Sequence, residues 1–417
     1  MEKKYLYFQP QYVNEFKCDG SKCNARCCKG WNVFIDNKTY EQYSRIEPQA
    51  DAEKILALIK FNSERNTYLV TMDEKRFCSF LDEDNLCCLQ RKYGENFLSM
   101  TCTSYPRRSV NFGKFFERSL ILTCPVAAEK ILFNTEPMQF ELVTVSEEVH
   151  LHGGKIGFTK VHVFEGFAEH MIEVQVAMIS ILQERTLTID QRLIVLGFFL
   201  DRLDELIADK SALTEAEAKT FVNALTKLIA AYESKDFLAT QVPRMLASIQ
   251  FDAKKFAGLM LQLFEKIYGG GGVQDDVEKF INVLITTLKI YPDANGQVSA
   301  AEFAANYEAL ADERKIFSAR YSTFMENYLV NELFLNCVPW EFETSVAKNF
   351  GVFVVTYKIF ELMMFAAAQK NFDSKDDLLS LTNWLVSKAD HNKSFTEKIL
   401  ELVPNDILAT METFLNP

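Results

Sequence analysis

The ten cysteines are spread so unevenly that they constrain the chain more than any other feature: nine fall between positions 18 and 124 of 417, and only Cys337 lies beyond. The densest stretch reads FKCDGSKCNARCCKGW and holds Cys18, Cys23, Cys27 and Cys28; Cys78, Cys87, Cys88, Cys102 and Cys124 follow. The opening MEKKYLYFQPQYVNEF has no apolar core segment and no small-residue cleavage site, so it does not read as a secretory signal, and a cytoplasmic protein is expected. Thiols stay reduced in that compartment, which favours metal ligation over disulfides. Thiolates are soft ligands suited to tetrahedral zinc or to an iron–sulfur cluster. All five histidines lie beyond Cys124, so a site in this region is all-thiolate. Structural zinc usually shows paired CxxC knuckles, and none occurs here; the irregular spacing is closer to an iron–sulfur scaffold.

Within the set, Cys23 and Cys27 can share a site if their loop curls. The side chains of neighbours diverge in a regular backbone, so one small site is not expected to take both Cys27 and Cys28. The acidic turn DEDN in FCSFLDEDNLCC returns Cys78 toward Cys87, and Cys124 precedes a proline, as the last ligand often does in ferredoxin-type sites. Cys88, beside a neighbour that fills its slot, and Cys337, isolated in a helical segment, read as buried cysteines behaving as small apolar residues.

Hydrophobic content of 48% and charged content of 24% describe an ordinary globular chain, long enough for two or three domains. Its most apolar stretches, 193–200 and 352–368, read as too short or too interrupted to span a bilayer. The formal charge of −12 is uneven: residues 1–130 hold 20 Lys+Arg against 17 Asp+Glu, and the remainder 25 against 40. So acidic a body disfavours nucleic acid as a partner. A lysine-bearing protein suits it better, although solvated helix faces account for the same charge.

The expected fold is α+β, mainly α: a cysteine-rich domain with short strands over 1–130, a connecting arm over 131–165, and an irregular all-α domain over 166–417. WNVFID (31–36) and TYLVTM (67–72) read as strands, with a helix over 39–59 between them. Residues 108–122 read as a hairpin around Asn111-Phe112-Gly113, and 138–152 as one more strand or an arm. From about 160 the apolar period is helical through 166–184, 189–208, 215–233, 244–267, 275–290, 300–336, 346–369, 375–388 and 395–415. Capping boxes are read at Thr188/Gln191, Thr214/Glu217, Ser299/Glu302, Ser374/Asp377 and Ser394/Glu397, and the glycine run at 269–272 separates two possible lobes.

Taken together, the segments 16–40, 77–87, 94–107 (GENFLSMTCTSYPR) and 117–125 (ERSLILTCP) resemble the flagellin lysine N-methylase family, part of a broader group with an N-terminal zinc- or iron-chelating cysteine cluster. The resemblance is specific over 10–130, where it takes in eight cysteines with Gly30, Trp31, Asp36, Tyr105, Pro106 and Arg107. It thins afterwards, where MENYLVNELF (325–334) looks like a family element. It implies a cytoplasmic enzyme that methylates lysine side chains of flagellin with S-adenosylmethionine. It further implies an oxygen-sensitive 4Fe–4S cluster on thiols drawn from Cys18, Cys23, Cys27, Cys28, Cys78, Cys87, Cys102 and Cys124. Ser79 stands where the family has proline, and Cys88 is an addition; neither removes a thiol.

The usual cofactor machinery is missing. There is no Gly-rich turn in a βαβ alternation, and no CxxxCxxC loop, since Cys28 follows Cys27 at once. A lysine ammonium must lose a proton before a polar methyl transfer, which calls for a base or a desolvating pocket. Tyr105 is the first candidate for that neighbourhood, with Arg107 or Arg108 able to hold a carboxylate; a Tyr-Pro turn with solvated arginines is the bland alternative. Asp36 reads as a helix cap and Trp31 as core. YPDANGQVSAAEF (291–303) imitates half an EF-hand but has Tyr291 at the first ligand position, and HLH at 150–152 lacks companion ligands. The competing functional class is a non-enzymatic iron–sulfur or zinc-binding redox or interaction protein.

Overall fold

The computed structural model describes residues 3–20, 23, 26–30, 32–147, 159–160, 165–208, 214–268, 275–291, 298–340, 342, 344–391 and 393–417. Trp31, His150 and His152, the glycine run and residues 292–297 of the EF-hand-like stretch lie outside the described residues. The fold is mainly α with small sheets of short strands, as expected. It divides into one compact unit of residues 1–130 and 139–160, and a second of 131–138 and 161–417.

The first unit contains two sheets. Strands β1 (Lys4–Pro10), β2 (Phe34–Ile35), β3 (Ile59–Asn62), β4 (Thr67–Val70), β5 (Arg107–Asn111), β6 (Phe116–Leu120), β7 (Phe140–Ser146) and β8 (Thr159–Lys160) form a five-stranded sheet, β7-β1-β6-β5-β8, and a three-stranded sheet, β2-β4-β3. β1 runs parallel to β6 with Tyr7 opposite Phe116, and these rings stack at 5.2 Å. The β5–β6 hairpin forms where the turn signal placed it. Gly113, at φ +87°, takes the left-handed position, and its N–H donates to Asn111 Oδ1 at 2.8 Å.

The helix expected over 39–59 is two helices, Asn37–Ser44 and Gln49–Ala57, followed by β3. Pro48 explains the break: it offers no N–H to a continuing helix and disfavours helical backbone at Glu47 before it. Val33, Ile35, Tyr43, Ile46, Ala52, Ile55, Val70, Phe80 and Leu89 form the core beneath this sheet.

In the second unit four expected helices also break, the first being 166–184, which becomes Glu165–Ala168 and Met171–Leu182. Segment 244–267 becomes Val242–Ser248 and Ala253–Tyr268; 300–336 becomes Ala300–Ala309 and Ala311–Leu335; 395–415 becomes Lys393–Leu402 and Ile407–Phe414. Apolar periodicity carries across such breaks because both pieces face one core. Asp252 and Asp406 restart helices by accepting from Lys255 N at 3.0 Å and Ala409 N at 2.7 Å. The boxes at Thr188 and Thr214 close reciprocally, and Ser299 accepts from Glu302 N. Ser394 instead lies inside the Lys393–Leu402 helix.

The stretch 352–368, read as too short or too interrupted to span a bilayer, lies in the longer helix Val346–Gln369. By length and composition that helix suffices, yet 89% of its apolar window is buried inside this unit, as for a core helix. Lys358 interrupts it, 1% exposed, with Nζ 2.6 Å from Asp190 Oδ1 and 2.8 Å from Glu361 Oε2. Burial alone would lower the Lys358 pKa; the two carboxylates outweigh it and raise it. MENYLVNELF, in the Ala311–Leu335 helix, carries buried polar groups. Glu326 accepts from Arg185 Nη2 and Arg192 Nη1 at 2.8 Å each, and Asn327 donates to the Asn134 carbonyl at 2.7 Å.

Candidate metal centre

The first cysteine loop is fastened to the segment carrying Cys78. After the 3-10 turn Arg26–Cys28, the Cys28 carbonyl accepts from Cys78 N at 2.7 Å, and Gly30 N donates to the Arg76 carbonyl at 2.9 Å. The DEDN turn forms as expected. Asp82 Oδ1 accepts from Asp84 N and Leu86 N at 3.0 Å, and Leu81 pairs with Cys87 across it. Cys102 sits in the short helix Met100–Ser104, whose cap Ser99 accepts from Cys102 N. Cys124 immediately precedes the helix Pro125–Leu132. Asp36 is the cap it was read to be: its carboxylate accepts from Thr39 N at 2.9 Å and from the Thr39 hydroxyl at 2.7 Å.

These elements bring five thiols, Cys18, Cys23, Cys27, Cys102 and Cys124, around a cavity of about 40 Å³ that Phe16, Asp19 and Tyr105 also line. Cys78 belongs to the core under the three-stranded sheet, with Cys28, Cys87, Cys88 and Cys102 packed against it. The neighbours Cys27 and Cys28 do not diverge: the tight turn leaves their sulfurs 3.8 Å apart. Cys337 is buried, 2% exposed, with its sulfur against the Phe334 carbonyl, as a core residue.

Electrostatically the thiols form one neighbourhood. Burial raises Cys78 to about 11 and Cys102 and Cys124 to about 12, and nearby thiols add to each rise. Cys18 is open to solvent on one side, yet protein around its sulfur and the charges of Cys27 and Cys23 lift it to about 11. Cys27 goes the other way: a hydrogen bond from Cys28 lowers it and correspondingly raises Cys28. Such a set holds its protons without a cation and releases them to one that binds. Among the described residues, no three cysteine, histidine or carboxylate side chains gather closely enough to enclose a single ion. Zinc needs four sulfurs about 2.3 Å from one point; an iron–sulfur cluster spaces its thiolates more widely around its own volume. Five thiols, set among Phe16, Asp19, Tyr105, Pro106, Pro125 and Val126 around one void, are a donor set of the kind an iron–sulfur cluster uses.

The Tyr105 hydroxyl lies 3.1 Å from Thr123 Oγ1, and burial, then the Cys124 charge, raises its pKa. Arg107 is not a solvated arginine. It donates to the Thr103 and Phe16 carbonyls at 3.3 and 3.4 Å and stacks over the Phe16 ring, with burial lowering its pKa. Sequence reasoning missed the helical unit's cleft of about 810 Å³, whose walls include Arg192, Arg314, Lys315, Ser322 and Glu326. The available signal was charge inside apolar helical pattern, at Glu326 and Lys358.

A family model described as the FliB lysine N-methylase C-terminal domain matches residues 175–416. The chain belongs to the FliB lysine N-methylase family. It is 31% identical over 149 residues to a lysine-N-methylase of Salmonella choleraesuis strain SC-B67, and 30% identical over 149 residues to that of Salmonella typhimurium strain LT2. Each alignment takes in 35% of this chain and only 37% of the relative, so the match spans well under half of these FliB-family proteins. It is also 32% identical over 139 residues to the flagellar biosynthetic protein FliU of Salmonella muenchen, covering 33% of this chain and 82% of that protein. No solved structure matches.

Proposed function

We propose that this chain is a protein-lysine N-methyltransferase that uses S-adenosylmethionine and a 4Fe–4S cluster to methylate flagellin in the cytoplasm. The observation that carries the reading is the family match over 175–416, joined in one chain to a cavity lined by five thiols. The names of the relatives, lysine-N-methylase and a flagellar biosynthetic protein, support the reaction and the class of substrate.

The residues that would hold the cluster are drawn from Cys18, Cys23, Cys27, Cys28, Cys78, Cys87, Cys102 and Cys124. When bound, the cluster would supply one-electron chemistry. The protein's own groups have separable tasks. Phe16, Tyr105, Pro106 and Pro125 wall the cavity with rings and shed water from it. Tyr105, held neutral by burial, offers a phenol O–H rather than a base. It is a candidate for orienting or desolvating a lysine. Arg107, a cation beside the thiols, offsets their negative charge once they are deprotonated.

The test is intact-mass analysis of flagellin after anaerobic incubation with cluster-loaded protein, S-adenosylmethionine and a reductant. Mass increments of one methyl group are expected and should map to lysine. Unchanged flagellin from protein with a full iron complement would defeat the reading and favour a redox or interaction role.

A further inference from the structure

The helical unit contains a cavity of about 40 Å³ whose lining is unlike that of the thiol void. Tyr328 and Glu332 of the helix Ala311–Leu335, Phe342 from the loop after it, and Phe353 of the helix Val346–Gln369 stand around it. Tyr328 and Glu332, four residues apart, share one helix face. Among the described lining residues Glu332 carries the only formal charge, and it is 6% exposed. Amides set its carboxylate in place: Oε2 accepts from Asn336 Nδ2 at 3.1 Å, and Oε1 from Asn331 Nδ2 at 3.4 Å. Asn349 clasps Phe342, accepting from its N–H at 3.0 Å and donating to its carbonyl at 3.3 Å. Tyr328 packs against Phe360, with ring centroids 4.2 Å apart. Asn336, Thr356 and Thr396 also line the cavity and are only half-buried, so its rim reaches solvent.

We propose that this cavity binds the ammonium head of a lysine side chain of the protein substrate. The proposal takes its occupant from the lysine methylation read above, but the lining selects the head group by its own chemistry. A carboxylate away from water attracts a cation far more strongly than one in bulk solvent. Aromatic rings favour an alkylammonium and shed water from its methylenes. The volume admits about three groups the size of a water molecule, which matches the nitrogen and the two methylenes behind it. A guanidinium or a trimethylammonium is bulkier. An opposite charge nearby favours the charged form, so a lysine seated against Glu332 keeps its proton. The cavity therefore anchors a lysine of the substrate rather than preparing one for transfer.

The experiment is saturation-transfer NMR on the full-length protein, titrated with n-butylammonium, the side-chain head alone, and with its neutral isostere n-butanol. Saturable binding of n-butylammonium, at least about tenfold tighter than n-butanol, is expected. Glu332→Gln should weaken it by about tenfold or more, because a hydrogen bond between two charged groups is lost. Thr356→Met fills the void from the rim and leaves the carboxylate in place. It should weaken binding as much, and it serves if circular dichroism shows Glu332→Gln unfolded. Glu308→Gln removes an exposed negative charge elsewhere on this acidic chain and should leave the affinity unchanged. A flagellin peptide with a single lysine should displace n-butylammonium, and the same peptide with glutamine in its place should not. Unsaturable binding, equal affinity for n-butanol, or wild-type affinity in a folded Glu332 or Thr356 variant overturns the proposal. Equal weakening by Glu308→Gln, or a lysine peptide that displaces nothing, overturns it too. These readouts need neither cluster nor methyl transfer, so flagellin left unmethylated would defeat the proposed function and leave this pocket standing.

Discussion

Replacing Glu326 by Gln should destabilise the helical unit far more than a surface charge change. Its side chain is 1% exposed, and both oxygens are engaged by arginines, Arg185 bidentately and Arg192 through Nη1. The Arg192 side chain is only 3% exposed, so without the carboxylate its charge stays buried beside the Leu182 and Leu187 carbonyls. Removing one partner of such a buried pair costs about 3–5 kcal/mol. At about 2–4 °C per kcal/mol for a domain of this order of size, that lowers Tm by roughly 6–20 °C. Arg185→Ala should cost less, on the order of 1 kcal/mol, because that side chain is 38% exposed and water replaces part of what is lost. Thermal and urea unfolding followed by far-UV circular dichroism measures both. The double variant Glu326→Gln, Arg192→Met removes the stranded charge and should recover part of the loss. A Glu326→Gln protein within about 1 kcal/mol of wild type, or a double variant no better than the single one, would refute a buried-charge origin.

Three further outcomes follow from the cysteine-rich unit. Asp36→Ala should cost about 1 kcal/mol as a lost cap. Burial pushes the Asp36 pKa up, but the Thr39 hydroxyl and N–H outweigh it and hold it low. Its contribution is therefore present above the ordinary carboxylate range and lost as pH falls through the depressed value; acid-unfolding curves of wild type and variant should converge there. In the metal-free protein, unfolded thiols ionise around 9.0, while Cys78, Cys102 and Cys124 hold their protons to about 11 or 12. The unfolded chain then binds fewer protons, so urea midpoints should fall as pH rises above about 9, and equal midpoints on either side would contradict the pKa order. Tyr105→Phe loses one hydroxyl contact to Thr123, worth about 1 kcal/mol, so it should retain full cluster iron while methyl transfer declines. Loss of iron instead would assign Tyr105 to the scaffold.

Some of this was legible in the primary structure because local physics settles it. The Asn111-Phe112-Gly113 turn, the Asp36 cap and the Thr188 and Thr214 capping boxes depend on a few adjacent residues, and each appears where its signal stands. The clustering of nine of the ten cysteines within 18–124 is likewise plain without any fold, and it is the donor chemistry on which the proposed metal site rests. Helix boundaries were less legible: breaks at Glu47–Pro48, around 250 and at Leu310 leave the apolar period intact, since both pieces bury the same face.

What the amino-acid sequence determined by itself, then, is the donor chemistry, the mainly helical body and the family pattern. Only tertiary structure decided which thiols face a void and which pack into a core, because that sorting depends on the loop at 18–30 docking onto the segment around Cys78. It also set the sulfurs of Cys27 and Cys28 side by side. A regular backbone would send neighbouring side chains apart, but the tight Arg26–Cys28 turn brings their sulfurs within contact. The buried pairs of Glu326 with Arg192 and of Lys358 with Asp190 have the same origin: these partners, more than a hundred residues apart, meet only when helices pack, and spacing along the chain carries no trace of them.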